Sequence, residues 1–200
     1  MSESSVEKMT NWRRYLHHIP ELGYNESKTR DYILDILSKM GLIVDTRFGK
    51  TGVVAYLSLG ESDKKIGFRA DMDGLPMTEN NTMSYKSTHS NCMHACGHDG
   101  HMSILLGLAD YFSSNVNSFD GTIYFIFSPA EEEGGGVQRM IDDGLLSAYD
   151  IPEIYALHNW PDLNLGEIGI IDGSIMAGDD SFEIHITGIG GHAAIPEKTI

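Results

Sequence analysis

Apolar residues recur at spacings of three and four over roughly the first forty positions, which is the period of an amphipathic helix. The pattern predicts a first helix from about Ser4 to His18, ended by Pro20. A second helix is predicted from about Ser27 to Met40, with Gly41 as its C-terminal residue. The apolar positions are Val6, Met9, Trp12 and Leu16 in the first helix and Ile33, Ile36, Leu37 and Met40 in the second.

The pattern then changes to short runs that are typical of strands. Three such runs are GLIVDTRF (41–48), TGVVAYLSLG (51–60) and KKIGFRA (64–70), and each predicts a strand. The stretch that follows, residues 71–100, has no period and predicts a long irregular segment.

Helices and strands alternate in the next part of the chain. A helix is predicted from about His101 to Phe112, and the nearly continuous apolar run 121–127 predicts a strand buried on both faces. A helix from about Gly136 to Asp143 and a strand in EIYALHN (153–159) follow. This alternation predicts an α/β fold of three layers, in which a mostly parallel or mixed open sheet carries helices on both faces.

Composition and charge narrow the functional classes. The 200 residues include 14 basic and 29 acidic residues, so the formal net charge is −15. A protein this acidic repels nucleic acids and anionic membranes, and we expect neither as a partner. No run approaches the ~18 apolar residues of a membrane span, and the N-terminus lacks the pattern of a signal peptide. We therefore expect a cytoplasmic protein.

Polar side chains with metal-binding chemistry follow the ends of the predicted strands. Ligands of open α/β sheets bind beyond the carboxyl ends of the strands, so these side chains are expected to converge at one edge. A further group lies immediately before the helix predicted near His101. The residues are Asp71 and Asp73, Glu131, Glu132 and Glu133, His158, and Cys96, His98 and Asp99.

Most of these groups also have an ordinary structural interpretation when taken alone. Asp71 and Asp73 are typical turn formers, and a run of glutamates suits an exposed helix N-terminus. A lone histidine such as His158 is most often half-buried without a function. The Cys96–His98 pair is harder to explain in this way, because thiolate and imidazole are both good zinc ligands. The convergence of all four segments favours a metal centre.

The donor set predicts which ions bind and what they do. Mixed Cys, His and Glu ligands suit Zn²⁺ or Mn²⁺, and also Co²⁺ or Ni²⁺, better than Ca²⁺ or Mg²⁺. Four or five ligands with adjacent carboxylates have room for one or two ions. A remaining glutamate is then free to take a proton from water and to give it to a leaving amine, which is the chemistry of amide hydrolysis.

Six motifs along almost the whole chain carry a resemblance to a known family. In order, they are WRRYLHHIPELGYNE (12–26), FRADMDGLPMTE (68–79), MHACGHDGHMSILLGLA (93–109), FSPAEEEGGG (127–136), IYALHNWPDLNLGEIGI (154–170) and FEIHITGIGGHAAIP (182–196). With these motifs the sequence resembles metal-dependent amidohydrolases that include hippurate hydrolase, N-acyl-amino-acid deacylases and plant indoleacetyl-amino-acid hydrolases. These form a branch of the aminoacylase and carboxypeptidase metallopeptidases.

The resemblance implies a role for each site residue. Glu131 is expected to be the general base and acid, and Asp71 to support the metal site without binding the metal directly. His101 is expected to cap or pack rather than to bind metal, and Cys92 is not expected to be a ligand. The implied metal ligands are Cys96, His98, Glu132 and His158.

The resemblance also implies a domain organisation and partners. Residues 1–175 correspond to the first part of the catalytic domain, and residues 176–200, including a strand at 182–188, to the beginning of a lid and dimerisation domain. His192 in that domain is expected to help bind substrate or to polarise the scissile carbonyl, often in the neighbouring subunit's site. The resemblance implies a small N-acyl amino acid or peptide with a free carboxylate as the substrate, and a homodimeric full-length parent. Because the family is about twice as long, we expect this chain to be a fragment with weak metal affinity and little activity.

Three other functions compete with this interpretation. A catalytically silent binding or dimerisation module would keep the fold, but such a relative usually lacks the base, whereas Glu131 is present. A phosphohydrolase using the His98–Asp99 pair would be all-helical, which the predicted strands oppose. A redox role for Cys92 and Cys96 is disfavoured because their spacing is not Cys-x-x-Cys.

Overall fold

The computed structural model describes residues 4–132, 134–178, 180 and 182–198, and it divides into two compact units. One unit spans Met1–Asn159 and the other Trp160–Ile200. This division falls earlier than the expected domain boundary at residues 175/176, which stays a prediction.

The second unit contains little regular structure in its described residues. It has turns and one short 3-10 helix, Pro196–Lys198. The predicted strand at 182–188 is wrong, because these residues have no strand conformation. An extended segment becomes a strand only by pairing, and the described residues of this unit offer it no neighbouring strand.

The two N-terminal helices form as their apolar periodicity predicts. Helix α1 spans Ser5–His18 and helix α2 spans Ser27–Lys39. Ser4 and Glu7 form a capping box at the start of α1, in which each side chain bonds the other residue's backbone N–H. None of the helices among the described residues is long and apolar enough to cross a membrane.

The later helices differ from the prediction in two places. Helix α3 spans His98–Ser114 and so begins three residues before the predicted start. Its first turn is polar but buried, and an apolar pattern cannot detect such a turn. Helix α4 spans Gly136–Asp142, close to the prediction, and α5, Leu145–Tyr149, was not predicted because five residues are too few to show a period.

The strands form one mixed sheet with the order β1-β2-β4-β3-β5. Strand β2 is antiparallel to both β1 and β4, whereas β3 is parallel to β4 and to β5. The mixed sheet and its helices confirm the predicted fold class. The strands are β1 Ile43–Asp45, β2 Val53–Leu59, β3 Lys65–Asp71, β4 Gly121–Ser128 and β5 Ile154–Ala156.

Central strand β4 is buried on both faces, as its apolar run predicts. Its residues Ile123, Phe125 and Phe127 belong to the larger core, which also contains residues of α1, α2 and α3. Tyr124 and Ile126 point to the opposite face and pack in a smaller core with residues of α4 and α5. The sheet therefore has helices on both sides.

The larger core takes three large apolar side chains from β4. Phe125 is completely buried in it. We expect Phe125→Ala to lower the free energy of unfolding by about 3–5 kcal/mol, because apolar contacts are lost and a cavity is left. Tyr111→Ala on the exposed side of α3 is the control and should cost less than about 1 kcal/mol. Urea denaturation measures both free energies of unfolding. Equal decreases in the two variants would contradict this description of the core.

Candidate metal centre

The register of the sheet brings two acidic segments to one edge. Asp71 at the end of β3 pairs with Ser128 at the end of β4, so the chain leaves both parallel strands at the same level. After β4, Ala130 adopts a left-handed conformation with φ of +47° and turns the chain into Glu131 and Glu132. Gly97, with φ of +98°, is the N-cap residue that directly precedes α3. A side chain at Gly97 would collide with Asn159, since a Cβ atom would lie 2.3 Å from its Oδ1.

His98 lies at the centre of this edge and is completely buried. Its Nδ1–H donates to the backbone oxygen of Asp73 at 2.8 Å, which leaves Nε2 as the nitrogen with a free lone pair. Three carboxylate oxygens surround that Nε2 atom. They are Asp71 Oδ2 at 3.8 Å, Glu131 Oε2 at 3.8 Å and Glu132 Oε1 at 3.7 Å.

His158 is oriented in the same way as His98. Its Nδ1–H donates to the backbone oxygen of Asn159 at 2.8 Å, which leaves Nε2 as the acceptor nitrogen. The thiol of Cys96 donates to that atom, with the sulfur 3.3 Å away. Metal-binding histidines commonly have one nitrogen bonded to a carbonyl and the other directed at the ion, and both His98 and His158 meet this description.

These side chains overlap in three groups of potential ligands among the described residues, and His98 belongs to all of them. Within each group the donor atoms lie within 4.8 Å of one another. The structure therefore brings together Asp71, Glu131 and the four implied ligands, whereas Glu133 lies outside the described residues. The groups are Cys96, His98 and His158; Asp71, His98 and His101; and His98, Glu131 and Glu132.

The residues fit a divalent cation. The buried atoms His98 Nε2 and Glu132 Oε1 have no hydrogen-bond partner in the described chain. A nitrogen lone pair that faces carboxylate oxygens is repelled by them unless a cation or proton lies between, and unpaired buried polar atoms are costly. Sulfur, nitrogen and oxygen donors together suit zinc and its neighbours rather than calcium or magnesium.

The carboxylates of the site have different electrostatic environments. Burial works against ionisation of Asp71, but the hydrogen bond from His101 and the charges of His98, when its ring is protonated, and of Arg69 hold its pKa below the ordinary value. The same two charges also act on Glu131, but there burial outweighs them. Burial and the charge of Asp71 raise the pKa of Glu131. Asp71 therefore stays ionised, while Glu131 accepts a proton more readily.

Cys96 is protonated at neutral pH when no cation is bound. Burial and the negative charge of Glu132 raise the pKa of its thiol to about 12. A thiol binds a metal ion as the thiolate, so binding at this position must release the proton.

Two residues contribute to the site in ways that the sequence analysis missed. Asp73 is buried and links two parts of the site, because its backbone oxygen accepts from His98 and its Oδ2 accepts the Glu132 N–H at 3.0 Å. His101 is also buried, and its Nδ1–H donates to Asp71 Oδ1 at 2.9 Å. It therefore orients Asp71 rather than capping the helix. Both residues stand near predicted site residues, but only the three-dimensional contacts define their roles.

The remaining candidates lie elsewhere. Asp99 faces away from His98 Nε2, since its Oδ2 accepts from Arg13 at 3.0 Å and from His17 at 2.9 Å, which disfavours a His98–Asp99 metal pair. Cys92 is a buried free thiol. His192 is an exposed residue of the second unit, and its role at the site stays a prediction.

Comparisons with known proteins agree with the chemistry of this edge. The model of the family described as Peptidase family M20/M25/M40 matches residues 67–197. Hippurate hydrolase of Campylobacter jejuni is 44% identical over 186 residues, covering 93% of this chain and 48% of that protein. An N-acyl-L-amino acid amidohydrolase of Geobacillus stearothermophilus is 42% identical over 190 residues, covering 94% of this chain and 51% of that protein.

A solved structure resembles the fold closely. The YXEP protein of Bacillus subtilis, a dinuclear metal-binding peptidase of the M20 family, has a TM-score of 0.81 and 34% sequence identity. The match covers 86% of this chain and 48% of that one. The chain thus spans about half the length of the curated relatives it matches.

The two cysteines give a matched test of the centre. We expect Cys96→Ala to lower the amount of Zn²⁺ or Co²⁺ that stays bound after dialysis, because the only sulfur donor of the cluster is lost. Cys92→Ala removes a buried thiol of similar size outside the cluster and should retain the ion. Elemental analysis measures the metal content of both variants. Equal metal content in the two variants would exclude Cys96 as a ligand.

The high pKa of the Cys96 thiol predicts how many protons are released when Zn²⁺ binds. At pH 7 the thiol is protonated before binding, so Zn²⁺ binding should release about one more proton in the unsubstituted protein than in Cys96→Ala. Calorimetric titration in buffers of different ionisation enthalpy measures this difference. A difference of zero would show that the sulfur does not bind the ion as thiolate.

Proposed function

The chain belongs to Peptidase family M20/M25/M40, and on that premise we propose that its parent protein hydrolyses an amide bond in N-acyl amino acids or small peptides with a divalent metal. One observation carries the proposal. The unpaired Nε2 of buried His98 faces Glu131 and Glu132 at less than 4 Å, with Cys96 and His158 in an overlapping donor group. The named activities of relatives at 44% and 42% identity support the same reaction.

The proposed ligands are Cys96, His98, Glu132 and His158. Zn²⁺ and Mn²⁺ are the favoured ions, with Co²⁺ and Ni²⁺ as other candidates, because the donor set mixes sulfur, nitrogen and oxygen. The three overlapping groups around His98 support a site for one or two ions, and the similar structure from Bacillus subtilis is a dinuclear protein. When bound, the cation supplies Lewis-acid chemistry by lowering the pKa of water and polarising a carbonyl.

Glu131 is the proposed general base and acid. Its carboxylate takes a proton from the attacking water, whose oxygen forms the new bond to the carbonyl carbon. The proton then passes to the amide nitrogen as the carbon–nitrogen bond breaks, so the products are a carboxylic acid and an amine. The raised pKa of Glu131 suits both transfers. Its side chain is 42% exposed, which leaves it accessible to a substrate.

Asp71 has a supporting role in this proposal. Its Oδ1 accepts from His101, and its Oδ2 lies 3.3 Å from Arg69 Nη1 and 3.8 Å from His98 Nε2. An ionised carboxylate held in this way keeps negative potential next to the ligands and favours a bound cation.

Other parts of the proposal depend on the resemblance alone. A small substrate with a free carboxylate, a homodimeric parent and a contribution of His192 to the neighbouring subunit's site stay predictions. The cytoplasmic location also stays a prediction.

Two adjacent glutamates test the division of roles. In the full-length parent, we expect Glu131→Gln to lower kcat for an N-acyl amino acid such as hippurate by roughly 100- to 10,000-fold, because proton transfer is lost. Its metal content should stay unchanged. Glu132→Gln is the comparison variant and should lose both metal and activity.

Three outcomes would contradict the proposal. Loss of metal in Glu131→Gln but not in Glu132→Gln would reverse the two roles. Unchanged turnover in Glu131→Gln would exclude it as the base. A full-length protein that binds the metal but hydrolyses no N-acyl amino acid or peptide would favour a silent binding module.

A further inference from the structure

The connector between α1 and α2, residues 19–26, contacts the loop that carries the two glutamates. We call this loop the acidic turn and define it as residues 129–132 and 134. The two segments are more than a hundred residues apart in the sequence. Their contacts use both backbone and side-chain atoms, and a single buried carboxylate makes the main one.

Glu26 is completely buried at this contact. Its Oε1 accepts the backbone N–H of Ala130 at 2.8 Å, and its Oε2 accepts the hydroxyl of Thr51 at 2.6 Å. A carboxylate without exposure to water is unfavourable unless its oxygens are hydrogen-bonded, and here both are. The buried carboxylate therefore carries a desolvation cost that an apolar side chain would avoid.

Ala130 needs such support, because a non-glycine residue with φ of +47° is in an uncommon conformation. Its carbonyl oxygen accepts the N–H groups of Gly134 at 3.2 Å and Gly136 at 3.1 Å. With the bond to Glu26, both polar groups of its backbone are satisfied. The conformation of Ala130 sets the direction in which Glu131 and Glu132 leave strand β4.

Two more connector residues pack against the same turn. The Tyr24 hydroxyl donates to the backbone oxygen of Gly134 at 2.6 Å. Gly23 lies so close that a Cβ atom there would be 2.9 Å from the Cβ of Ala130. The connector thus fits the turn closely on one side, while Asp73 Oδ2 holds the Glu132 N–H on the other.

We propose that Glu26 is a positioning residue, which holds the acidic turn so that Glu131 and Glu132 face His98 Nε2. This inference rests on the proposed function, because the turn matters for metal binding only if Glu132 is a ligand. Glu26 touches neither the metal ligands nor a substrate in this proposal, and it acts through the Ala130 backbone.

The first test is amide hydrogen exchange in the metal-free protein. Glu26→Ala should raise the exchange rate of the Ala130 and Glu132 amides by about 10- to 100-fold, since a charge-assisted bond to the turn is lost. Glu26→Gln should stay within about threefold of the unsubstituted protein, because its amide can accept from Ala130 and donate to Thr51. Unchanged exchange in Glu26→Ala would overturn the inference, whatever the protein's metal affinity.

The second test is Zn²⁺ affinity, measured by competition with a chromophoric chelator. Glu26→Ala should weaken binding about 10- to 100-fold, as loss of ligand support commonly does, and Glu26→Gln should restore it. Glu21→Ala is the matched control, because the Glu21 side chain accepts the Thr29 N–H at 2.9 Å at the start of α2, whereas that of Glu26 bonds the acidic turn. It should lower the melting temperature without changing the affinity.

The two tests separate the possible failures. Faster exchange with unchanged Zn²⁺ affinity would overturn the positioning role, although the contact itself would stand. A full-length parent without measurable Zn²⁺ affinity would refute the proposed metal centre, and the exchange result would then decide by itself whether Glu26 holds the turn. Equal loss of affinity in Glu21→Ala and Glu26→Ala would reduce the effect to general destabilisation.

Discussion

The hydrogen bond from His98 Nδ1–H to the backbone oxygen of Asp73 is the contact on which the site depends. It commits Nδ1, so that Nε2 is the atom that faces three carboxylates and binds a cation there or, without one, a proton. Because the ring is completely buried, it cannot turn Nε2 toward water instead. The donor atoms at this edge of the sheet therefore suit a bound cation. His98 is common to all three donor groups because its Nε2 lies between them.

Asp73 joins the elements that meet at this ring. It follows β3, holds the first residue of α3 through its carbonyl, and binds the turn after β4 through its carboxylate. Burial works against its ionisation, yet the His98 ring, whose Nδ1 lies 3.3 Å from Oδ1, and the backbone N–H groups of the acidic turn hold its pKa below the ordinary value. The acidic turn is thus bonded on two sides, with Glu26 at Ala130 and Asp73 at Glu132. Such rigid support is what a preorganised ligand set requires.

The sequence predicts the elements that have an apolar period and the donors that follow strands. Helices α1 and α2, the buried strand β4 and the convergence of Cys96 with His98 could all be predicted in this way. The start of α3 could not, because His98 and Asp99 are buried in its first turn as polar residues.

The supporting residues were also beyond sequence reasoning. His101 and Asp73 act through contacts with residues 30 and 59 positions away, and Glu26 through one 104 positions away. No local pattern distinguishes such residues from ordinary turn or surface residues. The prediction of a strand at 182–188 was wrong although a local pattern was present. A β pattern in the sequence does not supply a neighbouring strand to pair with.

X-ray absorption at the zinc edge tests the central claim most directly, because it reports the atoms bound to the ion. The account predicts one sulfur ligand at about 2.3 Å with nitrogen and oxygen ligands at about 2.0–2.2 Å in the zinc-loaded protein. The histidine ring signature should weaken when His98 is replaced by alanine. A spectrum with oxygen ligands alone, unchanged by that substitution, would contradict a centre built around His98.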